Sequence, residues 1–211
     1  MYSITAIIAA YNEERTIEKV LTQVKKVEII DKIIVISDGS RDRTADIARR
    51  LGVEVIELRE NIGKGGALKK GIDICESDII LLLDADLIGL TTDHVCDLLA
   101  PVVARTVDMT VGIFEKGRFS TDFAQRLTPY LSGQRAIRRY ILESISNIDI
   151  TRYGIEAAMT RYVRENKVET SKVCLLNLTH MTKEEKFGLI KGFKERMKMY
   201  WQVFKTFKAG R

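Results

Sequence analysis

The sequence predicts an α/β fold, a mostly parallel sheet with helices on both of its faces, and three observations predict it. Several short runs are apolar throughout rather than alternating, and Ile79-Ile80-Leu81-Leu82-Leu83 is the clearest of them. A strand covered on both faces reads this way. Such runs alternate with stretches whose apolar residues recur every three to four positions, the pattern of strands joined by crossover helices. Polar residues cluster just after the runs, where the open edge of a parallel sheet holds its ligands.

The elements follow in order. Ser3 to Ala10 is an Ile-rich first strand. Asn12 then reads as a helix N-cap, with Glu13 and Glu14 in the first turn, where the helix dipole favours them. Ile17, Val20, Leu21 and Val24 recur at helical spacing. Lys32 to Ser37 is a second strand, Asp38 to Asp42 a turn, and Arg43 to Leu51 a second helix. Val53 to Leu58 is a third strand, and Asn61 to Gly66 is a loop opening a helix through Cys75. Later, Asp93 to Val103 reads as a helix that makes His94 structural or exposed, and Val173 to Leu178 reads as a late strand.

Composition narrows the class. The 211 residues suffice for one good-sized core, and 45% hydrophobic with 30% charged residues is ordinary for a soluble globular protein. Cys75, Cys96 and Cys174 are odd in number and far apart, as expected of reduced, mostly buried thiols in the cytoplasm. No run looks like a signal peptide or a membrane span. Residues 183–211 hold nine Lys/Arg against three Asp/Glu, so the rest of the chain is nearly neutral. That argues against a nucleic-acid-binding body and gives the tail a partner of its own.

The chemistry starts at Asp84 and Asp86, where the apolar run ends in two carboxylates. Adjacent acids repel, so a cation belongs beside them, and a hard divalent metal carrying a phosphorylated ligand fits best. A solvated helix N-cap is the plain alternative. Asn12-Glu13, Asp38 and the Gly63-Lys64-Gly65 loop also follow strands, so all four loops converge on one crevice. The Gly-rich loop matches neither a Walker phosphate loop nor G-x-G-x-x-G.

In this order and spacing, Ala9-Ala10-Tyr11-Asn12-Glu13-Glu14, Val35 to Thr44, Asn61 to Leu68 and Leu82-Leu83-Asp84-Ala85-Asp86 resemble the glycosyltransferases of family two. The dolichyl-phosphate mannose synthases and glucosyl-3-phosphoglycerate synthases share the pattern. The resemblance implies the GT-A fold, a Rossmann-like nucleotide-sugar-binding domain. It implies that Ala10, Asn12, Glu13, Asp38, Gly63, Lys64, Asp84 and Ala85 hold a nucleotide-diphosphate sugar. Asp38 would accept the uracil N3–H, which points to a UDP-sugar. Lys64 would face the diphosphate, and Asp86 would hold Mg²⁺ or Mn²⁺, with Asp84 nearer the sugar or ribose. Family members often carry Pro where this chain has Ala10, which would only stiffen the strand exit.

The resemblance divides the chain into a nucleotide-sugar part (1–115), an acceptor part (116–182) and a tail (183–211). Ser132-Gly133-Gln134-Arg135 is similar to an S-G-x-R segment beside the acceptor, and Arg135, Arg138 and Arg139 form either a cationic set suited to an anionic acceptor or, for Arg138 and Arg139 above all, part of a solvated helix face. Tyr153-Gly154-Ile155-Glu156 is similar to a Y-G-x-E segment, which implies that Tyr153 and Glu156 bind the acceptor and makes Glu156, with Lys64 and Asp86, a catalytic candidate, a surface helix Glu being the plain alternative. His180 matches a third metal ligand. No Glu-Asp pair lies between Gly112 and Gly154, where inverting members carry a general base. Either the acceptor is already nucleophilic, such as a lipid phosphate, or the enzyme retains configuration, and both readings stand.

In the tail, Ile190, Phe193, Met197, Tyr200 or Trp201, Phe204 and Phe207 recur at helical spacing between lysines. A basic amphipathic helix of this kind packs on protein, including a second copy in a homodimer, or lies on an anionic membrane at its inner face. The function expected is metal-dependent sugar transfer to an anionic acceptor, a lipid phosphate or a small phosphorylated acid. The alternative is a non-catalytic nucleotide-sugar-binding or interaction protein on the same fold. A nucleotidyltransferase is disfavoured, because its Gly-rich loop with Arg is absent after the first strand.

Overall fold

A computed structural model describes residues 2–114, 132–145 and 154–181. Tyr153, the stretch 115–131 and the tail 183–211 lie outside the described residues. Strands β1 (Ile4–Ala10), β2 (Lys32–Ser37), β3 (Glu54–Glu57), β4 (Ile79–Asp84), β6 (Met109–Phe114), β7 (Arg135–Arg138) and β8 (Thr170–Leu175) form one sheet in the order β3-β2-β1-β4-β7-β6-β8. A two-stranded ladder pairs β5 (Leu87–Ile88) with β9 (Thr179–His180). The helices are α1 (Ile17–Val24), α2 (Thr44–Arg50), α3 (Lys64–Asp73), α4 (Thr92–Val103), α5 (Arg139–Ser144) and α6 (Gly154–Glu165).

The apolar runs are explained by burial on both faces. Alternate residues of β4 enter different clusters. Ile79, Leu81 and Leu83 pack with Val20 and Leu21 of α1 and Leu98 of α4. Ile80 and Leu82 pack with Ala67 and Leu68 of α3 and Met159 of α6. Each of the buried Val, Leu, Ile and Met side chains among these stabilises the fold by about 1.5–3 kcal/mol relative to exposure. With neither face wet, no polar alternation survives.

The sheet is parallel except at β7, which runs antiparallel to both β4 and β6. This reversal positions the site. The carboxyl ends of β1, β2, β4 and β6 open on one edge, and because β7 runs the other way, its entrance at Ser132–Gln134 reaches that same edge. Arg135 pairs with Leu82, whereas Arg138 pairs with Ile79 at the far end.

Several local expectations are corrected. Asn12 does not cap α1, because the chain first makes a turn and the helix starts after Thr16. Asn12 has a left-handed backbone (φ 55), and its Oδ1 accepts the Arg41 amide at 2.8 Å, which ties two loops together instead. Glu13 and Glu14 therefore precede the helix. The late strand is split into β8 and the short β9. Cys75 is buried, but Cys96 and Cys174 are exposed. His94 is structural, closing a capping box with Thr91 at the start of α4. Among the described residues, no helix is long and apolar enough to cross a membrane.

Candidate active site

The end of β1 and the end of β2 build one side of the crevice. The Ala10 carbonyl accepts the Asp38 amide at 2.8 Å, and the Glu13 amide donates to Thr44 Oγ1 at 2.8 Å. Glu13 is buried, with its carboxylate beside the Thr16 hydroxyl. Asp38 is 2% exposed. It accepts the Ile62 amide at 2.8 Å, the Gly63 amide at 2.9 Å and Asn61 Nδ2 at 3.0 Å. A carboxylate has about four acceptor positions, and the described residues fill three of them here.

The centre of the crevice is a chain of charges. Lys64 opens α3, and its ammonium lies 2.5 Å from Asp84 Oδ1 and 3.0 Å from Glu156 Oε1. The other oxygen of Asp84 accepts Gln134 Nε2 at 2.9 Å. Glu156 is 3% exposed, and its Oε2 has no hydrogen-bond partner among the described residues. Gly133 passes directly beneath: a Cβ there would strike Lys64 Nζ and lie 2.6 Å from Asp84 Oδ1. A side chain at this position would push the ends of Lys64 and Asp84 out of their present places.

The β5–β9 ladder brings the last member. Leu87 pairs with His180, and the Met181 amide donates to the Asp86 carbonyl at 2.9 Å. His180 Nδ1 then sits 2.9 Å from Asp86 Oδ1 and 4.0 Å from Asp84 Oδ2. The Phe114 ring meets the imidazole edge-on, with centroids 4.8 Å apart. One ligand atom from each of Asp84, Asp86 and His180 lies within 4.8 Å of the others, a donor set with the spacing to enclose one cation.

Residues 5–165 match the family model described as glycosyl transferase family 2. The chain belongs to glycosyl transferase family 2. Over 224 aligned residues it is 27% identical to the uncharacterized protein MJ1222 of Methanocaldococcus jannaschii, covering 94% of this chain and 91% of that one. Over 90 residues it is 40% identical to the poly-beta-1,6-N-acetyl-D-glucosamine synthase of Staphylococcus aureus, covering 40% of this chain and only 22% of the synthase. In structure it is similar to glucosyl-3-phosphoglycerate synthase from Mycobacterium tuberculosis in complex with Mn²⁺, uridine diphosphate and phosphoglyceric acid. The TM-score is 0.80 at 24% identity, over 99% of this chain and 78% of that one, so this likeness speaks for the fold. A second complex of that enzyme, with Mg²⁺ and uridine diphosphate, gives a TM-score of 0.73 at 25% identity, over 85% and 72% of the two chains.

The electrostatics of this family 2 site follow from its pairing. Burial works against the Lys64 ammonium, but Asp84 and Glu156 outweigh it and hold the group above its ordinary range. Burial likewise opposes the Asp84 carboxylate, while Lys64, His180 and the Gln134 amide keep it below the usual range. Burial pulls Arg135 down to about 10 against the pull of Glu156, which leaves it charged at neutral pH.

The acceptor expectations change most. Ser132, Gln134 and Arg135 are at most 5% exposed. The Ser132 hydroxyl donates to the Gly112 carbonyl at 2.5 Å. Arg135 donates to the Ser132 carbonyl at 2.9 Å and to Thr160 Oγ1 at 3.2 Å. These side chains brace the site from inside the protein and do not form an open acceptor surface. The cationic trio also separates, because Arg138 and Arg139 lie at the opposite end of β7 and pair with Asp108 and Glu143. Phe114 belongs to none of the sequence motifs, and its one signal is its position as the last residue of a strand on the ligand edge.

Proposed function

We propose that this chain is a metal-dependent glycosyltransferase that moves a sugar from a nucleotide-diphosphate donor, a UDP-sugar, to an anionic acceptor. The observation that carries the reading is the meeting of Asp84, Asp86 and His180 beside the Lys64–Glu156 pair. Two carboxylates and one imidazole suit Mn²⁺, and Mg²⁺ less well because it prefers oxygen. Asp86 and His180 would hold the ion. When bound, it would offset the charge growing on the departing diphosphate.

The chain's own residues have complementary tasks in this reading. Asp38, with Glu13 and Asn12, receives the nucleoside, and a carboxylate accepts uracil N3–H, which cytosine lacks. Lys64 supplies a fixed cation toward the diphosphate. Asp84, kept ionised, accepts hydroxyls of the sugar or ribose. Glu156 meets Lys64 with one oxygen, its other buried oxygen has no hydrogen-bond partner among the described residues, and it takes a hydroxyl of the sugar or the acceptor. The acceptor is a lipid phosphate or a small phosphorylated acid. Neighbouring structures of the Mycobacterium tuberculosis enzyme hold phosphoglyceric acid or glycerol 3-phosphate, which supports the anionic class. The basic tail would place a cytoplasmic enzyme on the inner face of an anionic membrane.

The test is a thermal-shift panel of UDP-, GDP-, ADP- and TDP-sugars with and without Mn²⁺. Parallel transfer assays would use the stabilising donor with polyprenyl phosphate or 3-phosphoglycerate. Ligand bound to the native state raises the midpoint by mass action. A Mn²⁺-dependent shift confined to UDP-sugars, with label transferred to one acceptor, is expected. No shift and no transfer would sink the reading. Flotation with phosphatidylserine vesicles, compared with neutral ones, tests the membrane role of the tail.

A further inference from the structure

We propose that Asp38 is a positioning residue for Lys64, holding the Gly-rich loop so that the ammonium lands between Asp84 and Glu156. Helix α3 begins at Lys64 with no side chain of its own segment capping its N-terminus. The chain enters it through Gly63 with φ 88, a left-handed conformation that favours glycine. What fixes this entry comes from another strand. Asp38, at the end of β2, accepts the amides of Ile62 and Gly63 and the side chain of Asn61. The two loops also touch at Gly39 (φ 67), where a Cβ would lie 2.7 Å from Asn61 N. One residue further on, Lys64 starts its reach to Asp84 and Glu156. Loosening the three bonds frees the helix entry and lets the cation leave its two carboxylates.

The consequence for catalysis rests on the reading above. The carboxylate that would meet the nucleoside base also holds the cation at the diphosphate end. A base that fits Asp38 would tighten Lys64, and one that does not would leave it loose.

The test reads Lys64 directly. Acylation of the folded protein with an acetyl N-hydroxysuccinimide ester, followed by peptide mass spectrometry, gives the rate at each lysine. Exposed Lys26 and Lys70 serve as references, and Lys70 lies on α3 itself. In the native protein Lys64 reacts more slowly than either. Asp38→Asn keeps the shape but turns an amide group toward an N–H donor. Its Lys64 rate is expected to rise by about threefold or more, as a local opening would give, with Lys70 unchanged. An unchanged Lys64 rate overturns the proposal, and so does a rise shared with Lys70, which would mean a generally loosened helix. If Asp38→Asn does not fold, Asn61→Ala, which removes one of the three bonds, carries the same two outcomes. A separate arm adds saturating UDP or CDP with Mn²⁺. Slower Lys64 acylation with UDP alone supports the link to the base. Equal effects, with the Asp38→Asn result intact, would sink that link and leave the positioning role standing.

Discussion

His180 Nδ1 lies 2.9 Å from Asp86 Oδ1, although 94 residues separate them in the chain. The two-stranded ladder β5–β9 makes the meeting, with Phe114 fixing the ring from its edge. Asp86 and His180 are two of the three groups, with Asp84, that come close enough to share one cation.

Replacing Asp86 or His180 by Ala removes one donor from the cluster. Mn²⁺ affinity, read by electron paramagnetic resonance of the free ion, is expected to fall by about tenfold or more, as loss of a group around a metal does. Chelation with EDTA should abolish sugar transfer by the native protein, and added Mn²⁺ should restore it. Unchanged Mn²⁺ binding in both variants would remove the assigned role.

Gly133→Ala drives a methyl group into the Lys64–Asp84 pair. The atoms that must move are the ends of two side chains, so the cost in stability falls below the roughly 1–3 kcal/mol of core overpacking, while what moves is the site's own charges. Urea denaturation should show a small loss, with a much larger proportional fall in transfer rate. An active, fully stable Ala variant would mean that the pair is not positioned as described.

Gln134→Leu removes the donor to Asp84 Oδ2 from a residue with no exposure. Losing a hydrogen bond to a part-buried charged acceptor is expected to cost about 1.5–3 kcal/mol in denaturant unfolding. Gln134→Glu should be worse, because it sets a second carboxylate against Asp84. Equal stability of Leu and Glu variants would contradict the bond.

At the opposite edge of the sheet, the amide and hydroxyl of Ser3 donate to Asp78 and hold its carboxyl below the usual range. A carboxyl depressed in the folded state stabilises above its unfolded pKa, and that contribution is lost as pH falls through the folded value. The group is exposed, so the effect is small. The fall in melting temperature below about pH 4 should be shallower in Asp78→Asn than in the native protein. Parallel curves would show that the clasp does not titrate as inferred.

The legible parts of this molecule are those where one residue's type already implies its environment. Five apolar residues ending at Asp84 imply a strand with both faces covered and an open carboxyl end, and the strands and first site residues follow. The reversal at β7 was not legible, since Arg135-Ala136-Ile137-Arg138 is short and half cationic, and only the sheet shows that Arg135 is inside and Arg138 at the far end. Gln134 reads as part of an acceptor segment until Asp84, fifty positions away, supplies its partner. Asn12 has the composition of a helix cap, but the neighbouring Arg41 amide claimed its side chain. In each case a long-range partner decided what local propensity left open.

The most direct measurement is calorimetric titration of UDP into the native protein, once with Mn²⁺ and once with EDTA, repeated with Asp86→Ala. The expected result is binding with Mn²⁺ that weakens by about tenfold or more with EDTA or in the variant. Equal UDP affinity in all three experiments would contradict a metal-dependent nucleotide-sugar site at Asp84, Asp86 and His180.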